Sequence, residues 1–404
     1  VKAPNTRLDA SSSAPTQWGA LLGTVAAFAY GLVRFRDPAT FVAEVDRLPR
    51  LFHDFIHYYI ATANSFAMGE NEAGGYLYSP LLAIALMPWA SLGLVVAMAV
   101  WALIQALVIS LLVLRTSKLG PPGFWGGFLA ASLTLLSVAT LHSLKWGQVG
   151  VILAVLMLEG SLALAKGRDL SASLLIGTAI ALKFYPAIVW PLAFALKRFK
   201  AAIGALVVTA FLLLLPSFMV LGVRRTRNFY RRLSASLVDN SAAAAGDANS
   251  QAVAAWLRRT FDWEAGAAVV VTGLVLGLVA LVLLYLGRRK AGGASIERGV
   301  LASLFLAALV PFFVPTCWPL YFCTLPPLAL LTAQEWRRRP AGFGRALILG
   351  LLAVSCLAQT FPAVDIAGGW SRYVEQGWLL VANLTVALCA LATLALPPPT
   401  TASE

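Results

Sequence analysis

The residues with chemical potential lie mostly in two polar stretches and at the ends of apolar runs. Asp54 and Tyr58 sit one helical turn apart, as do His53 and His57, within a stretch where Leu48, Leu51, Phe52, Phe55, Tyr59 and Ala63 recur at helical spacing. The pattern predicts an amphipathic helix lying along a membrane surface. A carboxylate there can take a proton from a lipid-borne substrate, or it is an ordinary solvated acid. His53 and His57 have the i,i+4 spacing of metal ligands. Asp54 does not share their face and no fourth ligand is evident, so the expected chemistry uses no metal and no other cofactor. Lys183 stands in the middle of an apolar run, where a charge costs about 2.5–3.5 kcal/mol. It must therefore meet a phosphate, a cavity or a carboxylate, and Glu159 is the acid within a span that could pair with it.

These residues are embedded in a chain of unusual composition. Of 404 residues, 59% are hydrophobic and only 12% charged, about half the charge a water-facing surface needs. The chain reads as an all-α polytopic membrane protein, which excludes soluble-enzyme, DNA-binding and disulfide-scaffold classes. The net charge of +13 is placed around apolar runs and points to membrane orientation, not to nucleic acid. Cys317, Cys323, Cys356 and Cys389 have no metal-ligand spacing and read as small buried hydrophobes.

Runs long enough to be full spans occur at Trp18–Val33, Leu94–Leu114, Gly123–Leu141, Val149–Ala165 and Ala201–Val223. Five more follow at Ala265–Leu286, Gly299–Val314, Trp318–Ala333, Ala346–Phe361 and Gly377–Leu396. Pro80–Leu92 is too short. Leu170–Leu196 is broken by Lys183 and Pro186 and reads as two half-helices or two short spans, giving about 10–12 membrane helices in all. With both termini in the cytoplasm, the clusters Arg115/Lys118, Lys166/Arg168, Lys197/Arg198/Lys200, Arg288/Arg289/Lys290 and Arg337/Arg338/Arg339 all fall inside. A disordered cytoplasmic tail is expected at 1–17, a single membrane domain at 18–396 and a short tail at 397–404, with no signal peptide evident. Two larger outer loops, 34–79 and 224–264, remain. The second carries seven arginines, which suit contact with lipid phosphates or an anionic substrate.

The order of motifs carries a resemblance. Asp54-Phe55-x-x-Tyr58-Tyr59 is followed by Tyr76-x-Tyr78-x-Pro80-Leu81, then by Trp146-Gly147-Gln148-Val149. Gly177-x-x-x-Ala181-Leu182-Lys183-Phe184-x-Pro186, Asn249-Ser250-Gln251 and Pro315-x-x-Trp318-Pro319-x-Tyr321 complete the set. This set, from about residue 50 to 325, resembles family 87 glycosyltransferases, of the glycosyltransferase C superfamily. Those enzymes are related to mycobacterial phosphatidylinositol mannoside mannosyltransferases.

The resemblance implies a glycosyltransferase C-like helical bundle. It also implies transfer of a hexose, mannose foremost, from a polyprenyl-phosphate donor to a lipid or glycan acceptor. The reaction would run on the outer face of a bacterial cytoplasmic membrane, among membrane lipids and without nucleic acid. Asp54 becomes the expected general base. Tyr58, Tyr78, Lys145, Gln148, Lys183, Asn249, Gln251, Trp318 and Tyr321 become expected substrate contacts. Bland roles stand beside these: an aromatic belt for the tyrosines, helix capping for Gln148, Asn249 and Gln251. Where the family often has Asn-Gln-Ser, this chain has Asn249-Ser250-Gln251, and Ser79 replaces a common proline. A multi-pass transporter with broken helices and a polysaccharide ligase or polymerase are the competing classes.

Overall fold

The computed structural model describes residues 13–34, 51–72, 74–244, 247, 249–262, 275–277, 279, 296–314 and 317–397. The expected span Ala265–Leu286, the basic cluster at 288–290, Leu48, Pro315 and most of both tails lie outside these residues or nearly so. Among the described residues the architecture is entirely helical apart from one isolated bridge. Apolar chain in lipid has no water to satisfy its N–H and C=O groups, so the helix, which pairs them internally, is the form available to these runs.

Among the described residues four helices are long and apolar enough to cross a membrane: Leu94–Leu119, Phe199–Asp239, Ile296–Phe313 and Trp378–Ala395. Leu94–Leu119 has 26 residues, about 39 Å at 1.5 Å per residue, more than the hydrocarbon thickness. Shorter apolar helices fill the space between them, among them Pro80–Ala90, Gly150–Ala165 and Phe343–Ala358.

Several expected spans are interrupted. The run Gly123–Leu141 is two helices, Phe124–Leu135 and Val138–Trp146, parted at Leu136 and Ser137. The break is satisfied by a second break: Val138 N–H donates to Gln359 O (2.9 Å) and Phe361 N–H to Leu136 O (2.8 Å), around a Ser137–Thr360 bridge. Irregular backbone is tolerable at such depth only where protein supplies its partners. The run Leu170–Leu196 likewise stops at Leu182, and 3₁₀ and α turns follow at Tyr185–Val189 and Pro191–Ala195. Its first half crosses the long Phe199–Ala244 helix closely. A Cβ on Gly177 would come within 2.8 Å of Ala205 O, and Thr209 Oγ1 donates to Gly177 O at 3.1 Å. The glycine of the Gly177-x-x-x-Ala181 motif is therefore a helix-crossing point.

Two expectations change. The stretch from Arg224 to Ala244 is helical throughout: within Phe199–Ala244 two helices meet at a kink at Gly222, whose dihedrals (φ 72°, ψ 165°) are not helical, and this stretch belongs to the second. Glu159 does not meet Lys183. Arg115 holds it through two hydrogen bonds, the Nη2–Oε2 one at 3.2 Å, so the pairing that would have explained Lys183 structurally is taken by another cation.

The helix predicted around Asp54 exists, with Phe55–Ile60 in π geometry running into Ala61–Ala67. Its apolar face is covered by protein. Phe55, Tyr59 and Ala63 are fully buried and pack into a second core with Tyr76, Tyr78, Leu82, Trp101, Val149 and Leu153. Aromatic rings stacked on the bundle, such as Phe55 on Trp101 at 5.0 Å and 15°, bury their area without lipid.

Candidate active site

Asp54 is anchored by its backbone before its side chain does anything. Phe52 N–H donates to Lys145 O at 2.7 Å, which docks the start of the loop helix on the end of Val138–Trp146. That helix stops at Gly147, in the left-handed region at φ 67°. A Cβ there would come within 2.7 Å of both Phe52 and Phe55, so the turn and the close approach both require glycine. The turn is clamped from the Leu94–Leu119 helix, where Trp101 Nε1 donates to Gly147 O (2.8 Å) and Gln105 Nε2 to Gln148 O (2.6 Å).

Gln148 then joins two of the residues expected from sequence, Asp54 and Tyr78, and through Tyr78 a third, Lys183. Its Oε1 accepts hydrogen bonds from the hydroxyls of Tyr59, at 2.9 Å, and Tyr78. With both donors fixed on the oxygen, the amide nitrogen must face the other way, and Nε2 donates to Asp54 Oδ2. Lys183 Nζ donates to the Tyr78 hydroxyl at 3.0 Å and lies 4.6 Å and 4.5 Å from the ring centroids of Tyr78 and Tyr321. A continuous path therefore runs Asp54–Gln148–Tyr78–Lys183. It links an acid on the loop helix to a cation at the break of a membrane helix.

Each part follows from local sequence. Lys183 leaves the helix with extended dihedrals, φ −153° and ψ 137°, and Pro186 near the start of the next turn bars continuation. The ammonium is thus released from helical packing toward Tyr78. Ser79 donates Oγ to Ala181 O at 2.5 Å, tying the tyrosine segment to the residues just before Lys183. Tyr76 donates to Ser79 O (2.7 Å) and receives Ala83 N–H (3.2 Å), shaping the entry to Pro80–Ala90. Burial raises the pKa of the Tyr59 and Tyr78 hydroxyls, so both stay protonated as donors to Gln148. Burial, and secondarily the Asp54 charge, also raises Tyr58. Asp54 keeps 17% of its side chain exposed, enough for a substrate hydroxyl to reach a carboxylate oxygen. Its Oδ1 lies 3.3 Å from His53 Nδ1.

The other expected contacts sit differently. Lys145 is exposed beside the turn. Tyr321 is buried next to Lys183 and edge-on to Tyr185 at 4.6 Å. Trp318 is half-buried against the main core, and its carbonyl accepts Tyr321 N–H at 3.0 Å. Asn249 Oδ1 accepts from Trp370 Nε1 at 2.9 Å. Gln251 is fully buried; its N–H donates to Cys317 O at 2.6 Å and its Nε2 to Val374 O at 3.2 Å, while its Oε1 has no hydrogen-bond partner among the described residues. Val374 lies in the last turn of Trp370–Glu375, so Gln251 satisfies a carbonyl at that helix end, while Asn249 meets an indole.

Two arginines of the 224–244 helix are spent on the segment that carries Asp54. Arg225 donates to Glu70 O, and Arg232 to Glu72 Oε1 (3.3 Å) and Asn71 Oδ1 (3.0 Å). These contacts put the two segments at the same end of the bundle.

Trp101 and Gln105 were not singled out from sequence. Their signal was a polar amide one turn from a tryptophan in an otherwise apolar span, a spacing that puts both on one face. Among the described residues no group of three His, Cys, Asp or Glu side chains is placed to hold a metal ion.

The fold and site define an all-helical polytopic membrane protein with an acid, an amide, phenols and an ammonium linked at one end of its bundle. The sequence profile of glycosyltransferase family 87 matches residues 76–315, more than half of the chain, and the chain belongs to that family. It is a membrane glycosyltransferase, so a sugar donor and an acceptor are its substrates and the transporter alternative falls away. No curated protein and no solved structure matches the chain. The family match begins after Asp54; what ties Asp54 to the matched segment is its hydrogen bond from Gln148.

Proposed function

We propose that the protein transfers a hexose, mannose foremost, from a polyprenyl-phosphate sugar to a lipid or glycan acceptor, with Asp54 as general base. The reading rests on the path from Asp54 through Gln148 and Tyr78 to Lys183. A phosphate-linked donor needs a cation and hydrogen-bond donors at its leaving group and a base near its anomeric carbon, and the path offers these at its two ends. Asp54 takes the proton of the acceptor hydroxyl as that oxygen attacks the anomeric carbon. The bond from the anomeric carbon to the phosphate oxygen breaks, and its electron pair leaves on the polyprenyl phosphate. Lys183, held in place by the Tyr78 hydroxyl that accepts one of its protons, stabilises that growing charge with its remaining N–H groups. Attack opposite the leaving group inverts the anomeric centre.

Lys183 supports the donor assignment by elimination of its structural partner, since Glu159 is engaged by Arg115. An ammonium at the end of an apolar helix, held among the described residues by a phenol and two aromatic faces, is suited to a phosphate arriving within the bilayer. The charge pattern of the short loops supports a site facing outward, in a bacterial cytoplasmic membrane, where lipid-linked donors replace nucleotide sugars.

Purified protein incubated with labelled polyprenyl-phosphate hexoses and cell-envelope lipids tests the reading. Sugar incorporation into a lipid or glycan fraction, abolished in Asp54→Asn, is the expected result. Transfer from a nucleotide sugar, with none from any polyprenyl phosphate, would overturn it.

A further inference from the structure

The two oxygens of Asp54 face unlike neighbourhoods. Oδ2 meets Gln148, and beyond it the cation of Lys183. Oδ1 meets His53, which begins a row of rings with a different character. His53 lies edge-on to Trp146 at 5.6 Å and 77°. Trp146 neighbours His142 at 5.8 Å, and His142 stacks on Trp370 at 5.6 Å and 14°. All four rings are partly exposed. They come from three separate segments: the loop helix, the end of Val138–Trp146, and the start of Trp370–Glu375.

We infer that this row is an acceptor subsite that holds a neutral hexose ring, delivering its hydroxyl to Asp54 from the side opposite the donor phosphate. The inference rests on the donor reading of Lys183 given above. Sugar rings present flat C–H faces that pack on aromatic rings, and their hydroxyls bond to polar ring edges; a row of tryptophan and imidazole offers both. An aromatic belt anchoring the protein in lipid accounts for the tryptophans less well. Belts are enriched in Trp and Tyr, whereas two of these four rings are histidines, and the rings contact one another in file toward the proposed base.

The test uses full-length protein in nanodiscs, with polyprenyl-phosphate mannose as donor and octyl mannoside, glucoside and galactoside as acceptor probes. Trp370→Leu is expected to raise the acceptor KM about tenfold, with donor KM held within about twofold. Trp370→Phe keeps a ring but loses the N–H that Asn249 accepts, and is expected to restore most of the acceptor KM. Equal changes in both KM values, or a Phe variant as impaired as the Leu variant, overturn the subsite, because Trp370 would then act through folding or through Asn249. Where the wild type transfers nothing from a polyprenyl phosphate, the donor reading fails, and photo-crosslinking decides the subsite separately. A diazirine-bearing octyl mannoside, competed by methyl mannoside and mapped by mass spectrometry, should label Trp146, His142 or Trp370. Competed labelling confined to other residues overturns the inference.

Discussion

The two segments that carry polar motifs, 51–80 and 249–251, use them in opposite ways. In 51–80, Asp54, Tyr59 and Tyr78 converge on Gln148, and the path ends on Lys183. In 249–251, Asn249 and Gln251 turn toward Trp370, Val374 and Cys317, where they fasten the segment to neighbouring backbone and an indole. A polar motif residue is a candidate for chemistry when its partners leave a face toward substrate. When its partners are scaffold, it holds the scaffold. Asp54 keeps part of its carboxylate exposed, whereas Gln251 is wholly buried.

The sharpest way to break this contrast is Asp54→Asn. It keeps the shape and removes the base, so turnover should fall about 100-fold or more with the fold and donor binding retained; initial rates beside a donor-binding assay check this. Near wild-type transfer would make the first segment as structural as the second.

Gln148→Leu comes next. It frees Asp54 from its amide and leaves two tyrosine hydroxyls without their acceptor. The expected loss in kcat is about 10- to 100-fold, since a base displaced by an ångström loses much of its advantage. Its donor KM should move far less than its kcat.

Lys183→Met should weaken donor binding about tenfold, the loss of one charge-assisted contact. Because Glu159 belongs to Arg115, Glu159→Gln should leave donor binding alone, and the double variant should show additive losses of thermal stability. Rescue of stability in the double variant, with unchanged polyprenyl-phosphate binding, would return Lys183 to a structural role.

Asn249→Ala should cost about 1 kcal/mol of stability through the lost Trp370 hydrogen bond, read as a lower Tm, with donor KM unchanged. A loss of donor binding equal to that of Lys183→Met would erase the distinction between the segments. The smallest effect is expected at the strap from the first segment to the 224–244 helix. Arg232→Ala removes an exposed pair with Glu72, worth about 1 kcal/mol or less and weakening with salt; unfolding at two ionic strengths measures it.

Much of this was legible from residue types alone. Composition made the chain a helical membrane protein, because so little charge cannot cover a water-facing surface. Pro186 and Lys183 together marked the broken run Leu170–Leu196, since one bars the helix and the other resists lipid. The spacing of Phe55, Tyr59 and Ala63 gave the loop helix. The same spacing could not say what covers its apolar face, and the covering proved to be the protein's own second core.

What tertiary structure decided is pairing across distance. Sequence left Lys183 between a phosphate and Glu159; the placement of Arg115, 44 positions before Glu159, removed the second option. Gln148 stood in the sequence as a sugar contact or a cap. Only the convergence of Tyr59 and Tyr78 on its oxygen, 89 and 70 positions away, orients its amide toward Asp54. Periodicity reports the face a residue occupies on its own helix, because that is set by backbone geometry within a few residues. Which partner waits on that face depends on how helices distant in the chain pack together, and hydrogen bonds between such partners are where the acid and the cation of this site become one arrangement.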